Sequence, residues 1–216
     1  MKLRLPWLSL SGALIAGGMS LSPHLSDSCE WNRLALSHGE VWRLVTGHFT
    51  HWTANHLVWD AVTFIACAAI IEQHSRRGLL MIFLGAAIAV STALLLCTPD
   101  LARYRGLSGV DSALFVSAAC LGLRDARAAM APRLVALMVA ALFGFALKTL
   151  AELATGQAFF VAADPVSTPV PLAHLVGGVV GALAFWWTSR GRRWLNRLSD
   201  PSRVHASSAV RPLDPV

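Results

Sequence analysis

A serine in Gly106-Leu107-Ser108-Gly109 opens one apolar run, and a histidine in Ala173-His174-Leu175-Val176-Gly177 opens another. A serine at a helix N-terminus meets free N–H groups and the positive end of the helix dipole, both of which favour a developing anion. Flanking glycines let the backbone approach a substrate carbonyl. On its own the turn is a weak signal, because small-residue turns open many membrane helices. The second motif changes its meaning. Gly177 and Gly181 form a small-xxx-small face that permits tight helix contact, and His174 stands one turn before Gly177 on nearly the same face. A helix packed through those glycines brings its imidazole against the neighbouring helix. If that neighbour carries Ser108, a nucleophile and its general base come within reach of each other, and the chemistry is acyl transfer.

The elements that must position these groups are membrane helices. Of the 216 residues, 55% are hydrophobic and 14% charged, with mean hydropathy +0.56, whereas soluble domains carry about 25% charge. A disordered chain and a disulfide-rich secreted domain are excluded by the apolar fraction and by only four Cys. The net charge of +6 does not suggest nucleic acid, because the Arg residues sit at the ends of apolar segments rather than in a patch. Runs of about 20 apolar residues span a bilayer. Six are expected: Leu5–Leu21, Trp52–Ile71, Gly78–Cys97, Gly106–Leu123, Leu134–Leu153 and Leu172–Ser189. The first could be a signal peptide, with Lys2 and Arg4 ahead of it, but Ala16-Gly17-Gly18 is a weak cleavage site and a retained helix is expected. The fold class is therefore all-α, a polytopic six-helix membrane bundle over residues 1–194, with a disordered cytoplasmic tail at 195–216.

Orientation follows from Lys and Arg. With the N-terminus inside, the inner segments hold Lys2, Arg4, Arg76, Arg77, Arg124, Arg127, Arg133 and six Arg from Arg190 onward, against Arg33, Arg43, Arg103 and Arg105 outside. Both termini are then cytoplasmic, and in a bacterium the outer side is the periplasm. The outer connection at about 22–51 is long, and such loops are usually functional or carry structure of their own. An interfacial helix anchored by Trp31 and Trp42 and a substrate-handling role are compatible readings.

Ionisable groups inside spans are expensive and suggest function by default. Here they are His56, Asp60, Asp111, Lys148, Glu152 and His174. Lys148 and Glu152 stand four apart near an outer helix end and are expected to pair and snorkel as a structural unit. His56, Ser108 and His174 each fall within about two turns of the outer end of a span, so three candidate catalytic groups share one depth. A metal centre at His38, His48, His51 and His56 is not expected, since no His-Glu-x-x-His is present and carboxylates nearby are sparse. His51 reads as a structural hydrogen-bonding residue, and no cofactor is implied.

Taken together, these residues resemble the rhomboid family of intramembrane serine proteases. The likeness rests on Gly-Leu-Ser-Gly before the fourth span and Ala-His-x-x-Gly-x-x-x-Gly in the sixth. Gly39-Glu40-Val41-Trp42-Arg43-Leu44-Val45-Thr46, then His51, His56 and Glu72, follow in family order. The resemblance implies Ser108 as nucleophile, His174 as its base and His56 as an oxyanion-stabilising group supported by Asp60, Gly106 and Gly109. Trp42 and Arg43 would belong to an outer loop lying partly in the membrane plane. Asp60 falls where many rhomboids have Asn, and its role stays open among a neutral hydrogen-bond donor, an ionised partner of His56 and a packing hydrogen bond. The His56–Asp60 stretch and Tyr104-Arg105-Gly106-Leu107-Ser108-Gly109 look most like rhombosortases. Those enzymes are associated with membrane-anchored proteins bearing a C-terminal Gly-Gly sorting tail. Ser112 departs from the pattern, since many rhomboids carry there a Tyr that stacks on the catalytic His.

Three other expectations complete the reading. Cys29 and Cys97 both face the outer, oxidising side, so a disulfide tethering the loop is expected, whereas Cys67 and Cys120 are mid-span. A rhomboid-like client-binding protein without proteolysis is the main alternative, and the presence of Ser108, His174 and His56 argues against it. A transporter is third, with no sign of inverted repeats.

Overall fold

The computed structural model describes residues 5–156 and 170–198. Six longer helices, α1 (Trp7–Leu21), α5 (Ala54–His74), α6 (Arg76–Cys97), α7 (Ser108–Ala128), α8 (Pro132–Thr155) and α9 (Pro171–Leu198), form the body. Four of them, α5, α6, α8 and the Pro171–Thr188 part of α9, are long and apolar enough to cross a membrane. The other two differ in kind. α1 has 15 residues, and α7 carries Asp111, Arg124, Asp125 and Arg127. α7 is the central helix, packed on α5, α6, α8 and above all α9. Its buried residues run from Gly109 to Ala126, so small and polar side chains are sheltered there by neighbours rather than by lipid. α8 is the opposite case: it fully buries only Thr149 and Glu152, and much of its surface faces outward, while Phe145 packs on Phe115 of α7. α9 runs on past Trp194 to Leu198. The remainder of the expected tail, like Lys2 and Arg4, lies outside the described residues.

The connection between α1 and α5 is built rather than slack. It holds α2 (Pro23–Cys29), β1 (Trp31–Asn32), α3 (Arg33–Ser37), α4 (Arg43–Thr46) and a tight turn at Gly47–Phe49. Ser22 and Asn32 cap α2 and α3 through their side-chain oxygens, satisfying first-turn N–H groups that otherwise have no partner. β1 pairs antiparallel with β2 (Arg103–Tyr104), Trp31 opposite Tyr104 and Asn32 opposite Arg103. This short ladder ties the outer loop to the segment that leads into Ser108.

Buried polar residues fix the loop and the helix ends. Arg43 donates from Nε to Glu40 (2.7 Å) and from Nη1 to the carbonyls of Asp27 and Glu30 (both 2.9 Å), pinning α4 to the end of α2. Its neighbour Trp42 is half exposed. Glu72, at the inner end of α5, accepts from the N–H of Ser9 (3.0 Å), the Ser9 hydroxyl (2.9 Å) and the N–H of Leu8 (3.3 Å). A carboxylate on the first turn of α1 satisfies orphan donors and opposes the positive helix end. Arg103 and Arg105 pair with Asp27 and the fully buried Glu30. Their guanidinium groups also lie over the Trp52 ring, at 5.7 and 4.4 Å. The carboxylates of Glu30 and Asp27 hold the Arg103 guanidinium above its usual pKa range.

The expected Cys29–Cys97 disulfide is corrected by this arrangement: both cysteines are free thiols. The tether is Arg33 instead. Its guanidinium donates to the carbonyls of Leu94 (3.0 Å), Leu95 (2.9 Å), Thr98 (2.7 Å) and Leu101 (3.0 Å). Those are carbonyls of the last turn of α6 and of the segment just beyond it, where acceptors outnumber the donors of the helix. Cys29 closes α2, on the far side of β1 from Arg33, and its carbonyl accepts from Thr46 Oγ1 at 2.6 Å. A compartment argument predicted two oxidisable thiols but carried no distance.

Candidate active site

Ser108 is the first residue of α7, set on the turn that Gly106 makes. Gly106 has φ +130°, a conformation that L side chains rarely adopt. A Cβ there would also stand 2.8 Å from the His56 ring and 3.3 Å from Asp60 Oδ2. Glycine is therefore required twice, by the turn and by the close approach of α5. The turn is held from two sides. From α5, Asp60 Oδ2 accepts the Leu107 N–H at 2.8 Å. From the outer loop, His48 Nδ1 lies 3.3 Å from the Gly106 carbonyl, while its Nε2 meets Ala87 O and Ser91 Oγ of α6, both at 3.1 Å. Burial pushes the His48 imidazole down to about 4, despite backbone hydrogen bonds that pull the other way. It is therefore a neutral structural wedge at ordinary pH.

Asp60 collects three groups on one oxygen. Besides the Leu107 N–H, Oδ2 lies 3.1 Å from His51 Nε2 and 3.3 Å from His56 Nε2. The His51 and His56 rings meet edge-on at 5.1 Å. His51 Nδ1 also lies 3.1 Å from Ser20 Oγ of α1, which fits the structural role read from the sequence. His56 Nδ1 is buried with no protein partner, so one ring nitrogen is held by Asp60 and the other is free for a further group. Among the described residues, no cluster of three His, Cys, Asp or Glu side chains is placed to hold a metal ion.

On the other side of Ser108 stands α9. A Cβ on Gly177 would fall 1.9 Å from the Gly109 carbonyl oxygen, and one on Gly181 would fall 2.3 Å from the Ala113 carbonyl oxygen. A Cβ on Gly109 would in turn meet the Ala173 carbonyl at 3.2 Å. The backbones of α7 and α9 thus touch over two turns, through the small residues that the sequence singled out. This contact sets the residue after Ala173, His174, beside the N-terminal turn of α7. Ser112 is part of the same contact, with its Cβ 3.1 Å from the Gly177 position and its hydroxyl donating to the Ser108 carbonyl at 2.8 Å.

Two residues named in the sequence were not expected at the site itself. Tyr104, from β2, is buried with its ring edge-on to that of His48 at 5.7 Å, and its hydroxyl meets no hydrogen-bond partner among the described residues. Burial, reinforced by the Asp60 charge, pushes its phenol above the usual range, so it remains an O–H donor. The signal available was its position four residues before Ser108. The second is Glu152. It does pair with Lys148 (2.7 Å), as expected, but it does not snorkel: its side chain is fully buried, and Oε2 lies 2.7 Å from His174 Nδ1. A carboxylate at the depth of His174 was visible in the sequence, and the i,i+4 lysine made it look self-contained.

Against known proteins, the family model described as Rhomboid domain matches residues 38–191, a span that includes Trp42, His56, Ser108, Glu152 and His174. A comparison with curated proteins gave no match.

Proposed function

The chain belongs to the rhomboid family of intramembrane serine proteases, multi-pass proteins that act on membrane protein substrates within the bilayer, and from that premise we propose that Ser108 and His174 are its catalytic dyad. The observation that carries the proposal is the contact of α9 on the first turn of α7, with Gly177 against the Gly109 carbonyl and Ala173 against Gly109. No bulkier residue pair would let the helix of the base come so near the helix of the nucleophile.

The reaction is acyl transfer. A substrate segment unwinds near the outer face, because a helical peptide bond is shielded by its own hydrogen bonds. Ser108 Oγ attacks the carbonyl carbon while His174 Nε2 takes the hydroxyl proton. The oxyanion is met by backbone N–H groups at the start of α7 and by His56 from α5. An ionised Asp60 in this step is supported by the three nitrogens that converge on Oδ2, those of the Leu107 N–H, His51 Nε2 and His56 Nε2. With the His56 Nε2–H also directed at Asp60, His56 Nδ1 can hold a proton toward the oxyanion. His174 then returns its proton to the leaving amine, and water resolves the acyl-enzyme.

On the reading of six spans with both termini cytoplasmic, which the Lys and Arg asymmetry supports, the site lies near the outer face, the periplasmic side in a bacterial inner membrane. The Tyr104–Gly109 and His56–Asp60 stretches favour a rhombosortase-like substrate: a protein anchored by a C-terminal Gly-Gly segment, an apolar span and basic residues. Co-expression with two reporters tests this, one ending in such a tail and one with an unrelated single-span anchor. Release of the first at least ten times faster is the expected result. Equal release, or faster release of the second, would make this a general rhomboid.

A further inference from the structure

We infer that Glu152 is the positioning residue of the site, turning the Ser108–His174 pair into a serine–histidine–glutamate triad; this rests on the acyl-transfer reading above. His174 Nδ1 lies 2.7 Å from Glu152 Oε2, and Glu152 Oε1 lies 2.7 Å from Lys148 Nζ. Lys148 Nζ is 3.5 Å from the same imidazole nitrogen, too long to compete with the carboxylate. The donation therefore runs from Nδ1–H to Glu152, which leaves the lone pair on Nε2, the nitrogen a general base needs. That is the part a carboxylate plays in aqueous triads: it fixes the tautomer and steadies the imidazolium without taking the proton.

The setting of Glu152 supports the role. α8 faces outward over much of its surface and fully buries only Thr149 and Glu152. An i,i+4 ion pair needs no burial, and near a helix end both side chains could reach the interface. Glu152 instead has no exposure while Lys148 keeps 25%. Burying a carboxylate in a membrane helix is costly unless it is paired, and here its partners include the base of the reaction and the Lys148 cation. In the attack step the Ser108 O–H bond breaks and an N–H bond forms on His174 Nε2. The imidazolium charge develops next to Glu152, and the same proton leaves later on the amine product.

The experiment compares the full-length protein with Glu152→Gln, Glu152→Asp, a Lys148→Met/Glu152→Gln double variant and Ser108→Ala. It reads kcat and KM on a membrane-anchored substrate, the rate of Ser108 labelling by a fluorophosphonate, and the melting temperature. Glu152→Gln should lower kcat and the labelling rate roughly 100-fold, against about 10⁴-fold for the amide substitution in an aqueous triad, with KM and melting temperature nearly unchanged. Glu152→Asp should recover part of the loss. If Glu152→Gln strands Lys148 and fails to accumulate, the neutral double variant carries the test and should be as slow. Wild-type kcat in either Gln-bearing variant, or a loss that follows melting temperature with no gain from Asp, overturns the inference. Cleavage by Ser108→Ala would instead overturn the dyad itself, so the two failures are separable.

Discussion

Ser108→Ala and His174→Ala are each expected to abolish cleavage of a co-expressed membrane substrate while the protein accumulates at wild-type level. Loss of a triad serine or histidine in an aqueous protease costs about 2 × 10⁶ in kcat, so residual activity should fall below detection. The folded state should hardly notice. Ser108 and His174 are only partly buried, and the α7–α9 contact is made by glycine and backbone atoms rather than by either side chain. In His174→Ala, Glu152 keeps its ion pair with Lys148, so no buried charge is left without a partner. Immunodetection of substrate and released product, with enzyme quantified in the same membranes, checks both halves. Near-normal cleavage by Ser108→Ala would exclude a serine nucleophile at this position.

Asp60→Ala should be the most damaging change outside the dyad. It leaves the Leu107 N–H and the facing nitrogens of His51 and His56 without their acceptor. At about 1 kcal/mol or more for each buried donor, the loss is roughly 3 kcal/mol, or about 10 °C in melting temperature for a chain of this size. Activity should fall about 10³-fold, since an oxyanion donor alone is worth about 10²–10³ and the Gly106–Ser108 turn loosens as well. Asp60→Asn separates the roles. Its carbonyl can still accept from Leu107, but an amide supplies no charge to His56. An ionised Asp60 therefore predicts reduced activity with an altered pH profile. Full activity of Asp60→Asn at every pH would restore the neutral-donor reading, and full activity of Asp60→Ala would leave only a packing role.

Motifs read well here where their meaning is carried by backbone approach. Gly106, Gly177 and Gly181 announced a tight turn and a tight helix contact, and both are where the spacing put them. Asp60 was legible as a polar intruder, but whether it donates or accepts depends on the Leu107 N–H, 47 residues away. For Glu152 the pairing with Lys148 was legible, but its burial and its bond to His174 were not, since that bond crosses 22 positions. The count of six spans was the weaker part of the hydropathy argument. α1 is short, and α7 is shielded by its neighbours and can afford charges that a lipid-facing helix cannot. The disulfide failed for a related reason, since redox compartment says nothing of distance, and Arg33 had already closed the same end of α6.

The central claim, a serine nucleophile at the start of α7 activated by a histidine on α9, is tested most directly by covalent trapping. Purified protein in detergent or liposomes is treated with a fluorophosphonate, digested and mapped by mass spectrometry. One phosphonylated residue, Ser108, is expected, with no adduct in His174→Ala under the same exposure. An adduct on another serine, or equal labelling of Ser108 without His174, would contradict the account.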